Sequence, residues 1–168
     1  AILTGSDCEG AGEMFRVTTL APGEKNVSED FFNRGCNLTV SGQLELEALA
    51  MGLGRVYSFG PTFRAENSNT PRHAAEFWMV EPEAAFIGLD DLMDLGEGLV
   101  RHVVRHVLDR CQEDIGLFDK FVDKGLAARL ENMLKLPFAR IPYAEAVHIL
   151  EDSGREFTYP ASFGIDLQ

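Results

Sequence analysis

Two runs rich in apolar and aromatic residues, Val56 to Phe63 and Glu76 to Phe86, flank the polar stretch from Arg64 to Ala75. Alternating apolar runs around a polar turn read as a long antiparallel hairpin, and this pattern constrains the fold more than any other. Charged groups sit on both strands and in the loop, in the order Phe63-Arg64-Ala65-Glu66, Asn67-Ser68-Asn69-Thr70-Pro71-Arg72-His73 and Glu76-Phe77-Trp78-Met79-Val80-Glu81. Residues two apart on a strand share a face, which pairs Arg64 with Glu66 and puts Phe77 and Glu81 in phase. A guanidinium stays charged and forks onto two oxygens at once, so arginines in such a setting suit phosphate.

Around the hairpin the periodicity gives the remaining elements. Met14 to Thr18 and Leu38 to Val40 read as short strands, and 21–36 as loop anchored by Phe31 and Phe32. Gln43 to Leu53 reads as a helix stopped at Gly54. From Asp90 the period becomes helical, with Leu92, Leu95, Leu99, Val103, His106 and Val107 on one face and the helix running towards Cys111. A second helix is expected over about 123–135, with Leu126, Leu130, Met133 and Leu134 inward. A third runs from Tyr143 to Leu150. Strands first and helices later define an α+β chain with an antiparallel sheet. No Pro/Gly-rich linker divides it.

Composition narrows the class. With 45% hydrophobic and 25% charged residues the chain is an ordinary globular one. No apolar run nears the roughly 18 residues of a membrane span, and no signal peptide is expected. Cys8, Cys36 and Cys111 are odd in number and far apart, which argues against a disulfide framework or a zinc site and suits a reducing cytoplasm. His102 and His106 are four apart but lack the Glu of a His-Glu-x-x-His motif, and His148 stands alone, so no metal site is expected. A net charge of −12 argues against tight, extended contact of this chain with RNA.

The segment Phe63-Arg64-Ala65-Glu66, a loop, Thr70-Pro71-Arg72-His73, then Glu76-Phe77 resembles motif 2 of class II aminoacyl-tRNA synthetases, aspartyl/asparaginyl subgroup. In detail it looks like the bacterial asparaginyl type. Ser6-Asp7-Cys8-Glu9-Gly10-Ala11-Gly12-Glu13-Met14-Phe15, Asp30-Phe31-Phe32, Leu38-Thr39-Val40-Ser41-Gly42-Gln43-Leu44 and Phe163-Gly164-Ile165-Asp166-Leu167 fit the same family in the right order. The resemblance implies a partial catalytic domain over 1–168, with motif 2 at about 55–86 and motifs 1 and 3 absent. The chain alone is then expected to be inactive. The family's substrates and partners are asparagine, ATP with Mg²⁺ (held mostly by ligands outside this chain) and tRNA(Asn), and the enzymes are homodimers.

Residue roles follow from the same resemblance. Arg64 is the catalytic residue, set against the α-phosphate of ATP. Glu66 contacts adenosine, either of ATP or of the tRNA 3′ end. Arg72 and His73 approach the terminal phosphates, and Phe77 stacks on adenine. Glu9, Gln43 and Glu81 form the amino-acid pocket, with Glu81 and Glu9 near the ammonium and Gln43 near the substrate's backbone groups. Aspartyl enzymes carry a Lys where this chain has Leu46, which offers no charge to a substrate carboxylate. Glu47 beside it would accept from a side-chain amide and repel a carboxylate. These positions also have plainer readings: a solvated strand charge for Arg64 and Glu66, a helix-surface charge for Glu47, and a core aromatic for Phe77. A paralogue that forms an aspartyl-adenylate for asparagine synthesis, and a non-catalytic nucleotide-binding module, stand as alternatives.

Overall fold

The computed structural model describes residues 2–8, 10, 13–67 and 73–165. The chain divides into two compact units, Ala1–Gly88 and Leu89–Gln168.

The first unit is built on two small antiparallel sheets. β1 (Leu3–Thr4), β2 (Arg16–Val17) and β3 (Cys36–Leu38) form one, with β3 central. β4 (Arg55–Phe63) and β5 (Glu76–Ala84) form the hairpin, in a register that sets Ser58 opposite Glu81 and Thr62 opposite Phe77. The Phe63 amide donates to Thr39 O at 2.9 Å, which ties β4 to the chain leaving β3. Helix α1 (Gln43–Leu53) packs on both hairpin strands and ends as expected at Gly54. Gly54 takes φ 82° there and donates its amide to Ala50 O, a backbone that favours glycine. Cys8, Cys36, Val40, Leu46 and Ala50 are buried around this junction.

Strand alternation decides what the hairpin offers. Tyr57, Phe59, Trp78 and Val80 lie exposed on one face, with Phe59 and Trp78 rings 5.0 Å apart. Ser58, Thr62, Phe77 and Glu81 lie on the other, which is the more covered. Glu81 therefore points away from Trp78 and Val80, its neighbours in sequence, because a period of two sets them on the opposite face.

The expected loop between β2 and β3 is closed by Asp30. Its carboxylate accepts from the Thr18 hydroxyl (2.7 Å), the Thr19 amide (2.9 Å), the Thr19 hydroxyl (3.0 Å) and the Phe31 amide (2.8 Å). The Thr18 hydroxyl first, then the Thr19 amide, hold the carboxyl far below its ordinary value, against a smaller opposing effect of burial.

The second unit is helical: α2 (Leu89–Arg110), α3 (Gln112–Phe121), α4 (Leu126–Lys135) and α5 (Tyr143–Asp152). The separate helix α3 is one that periodicity alone did not resolve. Glu113 and Asp114 in its first turn are its local signal, placed where the helix dipole favours negative charge. The expected inward face of α2 is also corrected. Leu92, Leu95, Leu99, Val103 and His106 are exposed; Val107 is partly covered as expected, together with Met93, Glu97, Arg101, Val104 and Leu108. On α4, Leu126, Leu130 and Leu134 are partly covered as expected, but Met133 is exposed.

Arg101 explains the shift of face on α2. It pairs with Glu97 (2.8 Å) and donates to the carbonyls of Met133, Leu134 and Leu136 at the end of α4. These are carbonyls that a helix C-terminus leaves without intrahelical partners. Glu97 also faces Arg140, whose guanidinium reaches Asp94 at 2.5 Å. These bonds tie the helices together on a side of α2 that also covers Met93, Val104, Val107 and Leu108, and Leu92, Leu95, Leu99 and Val103 are left outward. Among the described residues, no helix is long and apolar enough to cross a membrane.

Candidate active site

The site face of the hairpin carries two groups of residues, one at each end. At the first, helix α1 begins without a side-chain cap, because Gly42 stands at its N-cap. Ser41 Oγ accepts from the Gln43 amide (3.1 Å) in its place. The Glu81 carboxylate reaches across from β5 and accepts from the Ser41 hydroxyl, the Gly42 amide (3.2 Å to Oε2) and the Ser58 hydroxyl (3.2 Å). A carboxylate at a helix N-terminus meets the positive end of the helix dipole. Three neutral donors orient it, with the Gly42 amide shared between Oε1 (3.3 Å) and Oε2 (3.2 Å), and the carboxylate charge that they hold in place suits a cationic ligand group.

Gly42 is required for this seat. A Cβ there would stand 2.8 Å from Ser58 Oγ and 3.5 Å from Glu81 Oε2. An adjoining cleft of about 250 Å³ is lined by Thr39, Gly42, Ser58, Thr62 and Glu81 among others.

At the first residue of the helix, Gln43 Oε1 accepts from the buried Cys8 thiol at 3.6 Å, and Gln43 Nε2 donates to Glu47 Oε1, one turn on, at 2.8 Å. Glu47 thus meets an amide, but that of Gln43. Leu46 is buried on the inward side of α1, with 5% of its surface exposed.

At the other end, Arg64, Glu66, His73, Ala74 and Phe77 line a cleft of about 380 Å³. Arg64 leaves β4 with its amide on Ala75 O (3.0 Å), and its guanidinium carbon lies 5.5 Å from the centre of the Phe77 ring. One of its terminal nitrogens donates to Val40 O at 3.4 Å. Its Nε is buried and has no hydrogen-bond partner. An unpaired buried donor costs about 1–3 kcal/mol, so a charged donor left this way is suited to an incoming anion. His73 Nε2 lies 3.7 Å from Glu66 Oε2 across the cleft.

Four of the residues singled out in the hairpin, Arg64, Glu66, His73 and Phe77, therefore meet in one cleft, and Glu81 and Gln43 meet at the start of α1. Glu9 and Arg72 lie outside the described residues. Ser41, Ser58 and Cys8 are the site residues that sequence reasoning missed. Ser58 was within reach of it, since pairing the strands in register sets it opposite Glu81; nothing local marked Ser41 or Cys8. Among the described residues, no group of three or more His, Cys, Asp or Glu could hold a metal ion.

This α+β arrangement, a hairpin with an arginine-lined cleft beside a helix seated on a carboxylate, has known counterparts. The chain belongs to the class II tRNA synthetases (D, K and N), whose family model matches residues 2–161. Within that family it is 65% identical to the asparagine–tRNA ligase of Oleidesulfovibrio alaskensis, over 99% of this chain and 38% of that protein. In structure it resembles the asparaginyl-tRNA synthetase from Pyrococcus horikoshii complexed with asparaginyl-adenylate, with a TM-score of 0.78 and 35% identity, over 100% of this chain and 34% of that one. The Entamoeba histolytica asparaginyl-tRNA synthetase follows at a TM-score of 0.72 and 26% identity, over 100% of this chain and 33% of that one. The chain spans about 38% of the length of the curated relatives it matches.

Proposed function

We propose that this chain is part of the catalytic domain of an asparagine–tRNA ligase, a cytoplasmic homodimeric enzyme that activates asparagine with ATP and transfers it to tRNA(Asn). The observation that carries the reading is the hairpin cleft, where the buried, unpartnered Nε of the half-buried Arg64 lies beside an aromatic ring, a carboxylate and an imidazole.

In this reading ATP occupies the cleft. The asparagine carboxylate attacks the α-phosphorus, the bond to the β-phosphate oxygen breaks, and pyrophosphate leaves with the electron pair. Charge gathers on the α-phosphate oxygens as this happens, and Arg64 is the fixed donor that opposes it. Donors held in advance where charge develops are a large catalytic contribution. Phe77 provides a face for adenine, and Arg64 near the same ring keeps base and phosphate sites adjacent. Glu66 contacts adenosine, while Arg72 and His73 receive the departing phosphates. Glu81 binds the amino-acid ammonium through its carboxylate charge, with Glu9, Gln43 and Glu47 completing the pocket. The second step exchanges AMP for a tRNA 3′ hydroxyl at the activated carbonyl. Mg²⁺, held mostly by ligands outside this chain, would neutralise phosphate charge.

Asparagine-dependent ATP–pyrophosphate exchange by the full-length protein tests the proposal. The wild type is expected to exchange with asparagine in strong preference to aspartate. Arg64→Ala is expected to lower the rate at least about a hundredfold, the scale of removing one transition-state donor. Equal exchange with aspartate would overturn the specificity, and a near-normal rate in a folded Arg64→Ala protein would remove Arg64 from catalysis.

A further inference from the structure

We propose that Cys8 and Glu47 are positioning residues that hold the Gln43 side-chain amide in a single orientation, so that it presents an N–H to an oxygen of the amino-acid substrate. The inference rests on the functional reading above and extends it to two residues that need not touch the ligand.

A glutamine amide has an accepting oxygen and two donating hydrogens, and it can turn over if its surroundings allow. Here both ends are specified. The Cys8 thiol, 3% exposed, points its weak donor at Gln43 Oε1, while Glu47 Oε1 accepts from Gln43 Nε2 at 2.8 Å. Turning the amide over would set its oxygen against the Glu47 carboxylate, an acceptor against an acceptor, and its NH₂ against a thiol that prefers to donate. Neither contact survives the turn. One Nε2 hydrogen remains uncommitted, and it is a donor that a substrate oxygen can take.

Local structure supports the relay from both sides. Gln43 and Glu47 are four apart on α1, the spacing that stacks side chains on one helix face. Cys8 is anchored by its own amide, which donates to Asp7 Oδ1 at 2.8 Å. The thiol is the group through which the segment preceding Glu9 grips the start of α1, 35 residues further along the chain. Glu47 in this arrangement acts on specificity through Gln43, and its carboxylate is engaged before any substrate amide arrives.

The test uses the full-length protein, with ATP–pyrophosphate exchange measured against asparagine and against ATP. Cys8→Ala is expected to raise the KM for asparagine about five- to tenfold, the range of one net hydrogen bond, with kcat and the KM for ATP held within about twofold. Cys8→Ser, which keeps a donor of similar size, is expected to restore the asparagine KM. A packing role predicts the opposite order, because a buried hydroxyl is less welcome in a thiol's site than a methyl. In a Gln43→Ala background the Cys8→Ala change is expected to have no further effect on the asparagine KM, since its target is gone. Full additivity, or a Ser variant worse than the Ala variant, would overturn the proposal. A wild type without asparagine-dependent exchange would instead refute the functional reading itself, whereas normal exchange with an unaffected Cys8→Ala protein would refute this inference alone.

Discussion

At the scale of single residues, Leu46 and Asp30 are the informative cases. Leu46, where the family resemblance sets the lysine of aspartyl enzymes, is buried as a leucine should be. Leu46→Lys would place an ammonium among apolar neighbours, so it is expected to cost about 3–5 kcal/mol, the scale of an uncompensated buried charge. Urea unfolding of the variant measures this; unchanged stability with a gain of aspartate use would show that the position opens to the pocket. Asp30 is the reverse case, a charge at ease in a covered place. Its folded carboxyl is held below its ordinary 3.8 by the Thr18 hydroxyl and the Thr19 amide. On acidification the unfolded chain takes up a proton first, so the Asp30 contribution is fully present above about pH 4 and is lost as pH falls towards the lowered folded value. Asp30→Asn is expected to reduce stability at neutral pH and to lessen its loss on acidification, read from denaturant midpoints between neutral pH and about pH 3. An unaltered acid limb would rule this role out.

At the scale of elements, helix α1 is the part on which the site depends. Its boundaries are local: Gly54 ends it, and the apolar positions Leu46 and Ala50 give it a buried side. Its starting point is held by tertiary contacts, with Glu81 bonded to Ser41, Gly42 and Ser58. Gly42→Ala is expected to push the Ser58 hydroxyl aside, which loosens its hold on Glu81, and to raise the KM for asparagine about tenfold or more, with a smaller effect on ATP, since one misplaced charged hydrogen bond is worth about 1.5–3 kcal/mol. An unchanged asparagine KM would mean that Glu81 is free to adjust. The strands of the hairpin were legible in the sequence to within one or two residues, because alternation is a property of neighbours. The faces of α2 were not: hydrophobic spacing selected Leu92, Leu95, Leu99 and Val103, while the bonds of Arg101 to the end of α4 turned another side inward.

For the whole molecule, each unit carries an uncovered apolar face. Tyr57, Phe59, Trp78 and Val80 are exposed on the hairpin, as are Leu92, Leu95, Leu99 and Val103 on α2. Contiguous apolar surface of this kind is unusual on a soluble monomer and promotes association. The isolated chain is therefore expected to self-associate, with light scattering showing species above its 18.6 kDa mass and a hydrophobic dye binding strongly. A monodisperse monomer that binds no dye would show that these faces are covered in solution.

What the sequence determined by itself is the hairpin, the helix from Gln43 to Leu53, and the grouping of Arg64, Glu66, His73 and Phe77 around one turn. All of these follow from short-range period and spacing, which a chain carries wherever it folds. Only the tertiary structure decided that Glu81 is seated on Ser41, Gly42 and Ser58, that Cys8 grips Gln43, and that α2 turns the side bearing Glu97 and Arg101 inward. Those contacts join residues from 23 to 40 positions apart. Their partners are chosen by strand register and by the demand that buried donors and acceptors find one another, and neither is written in any local stretch of the chain.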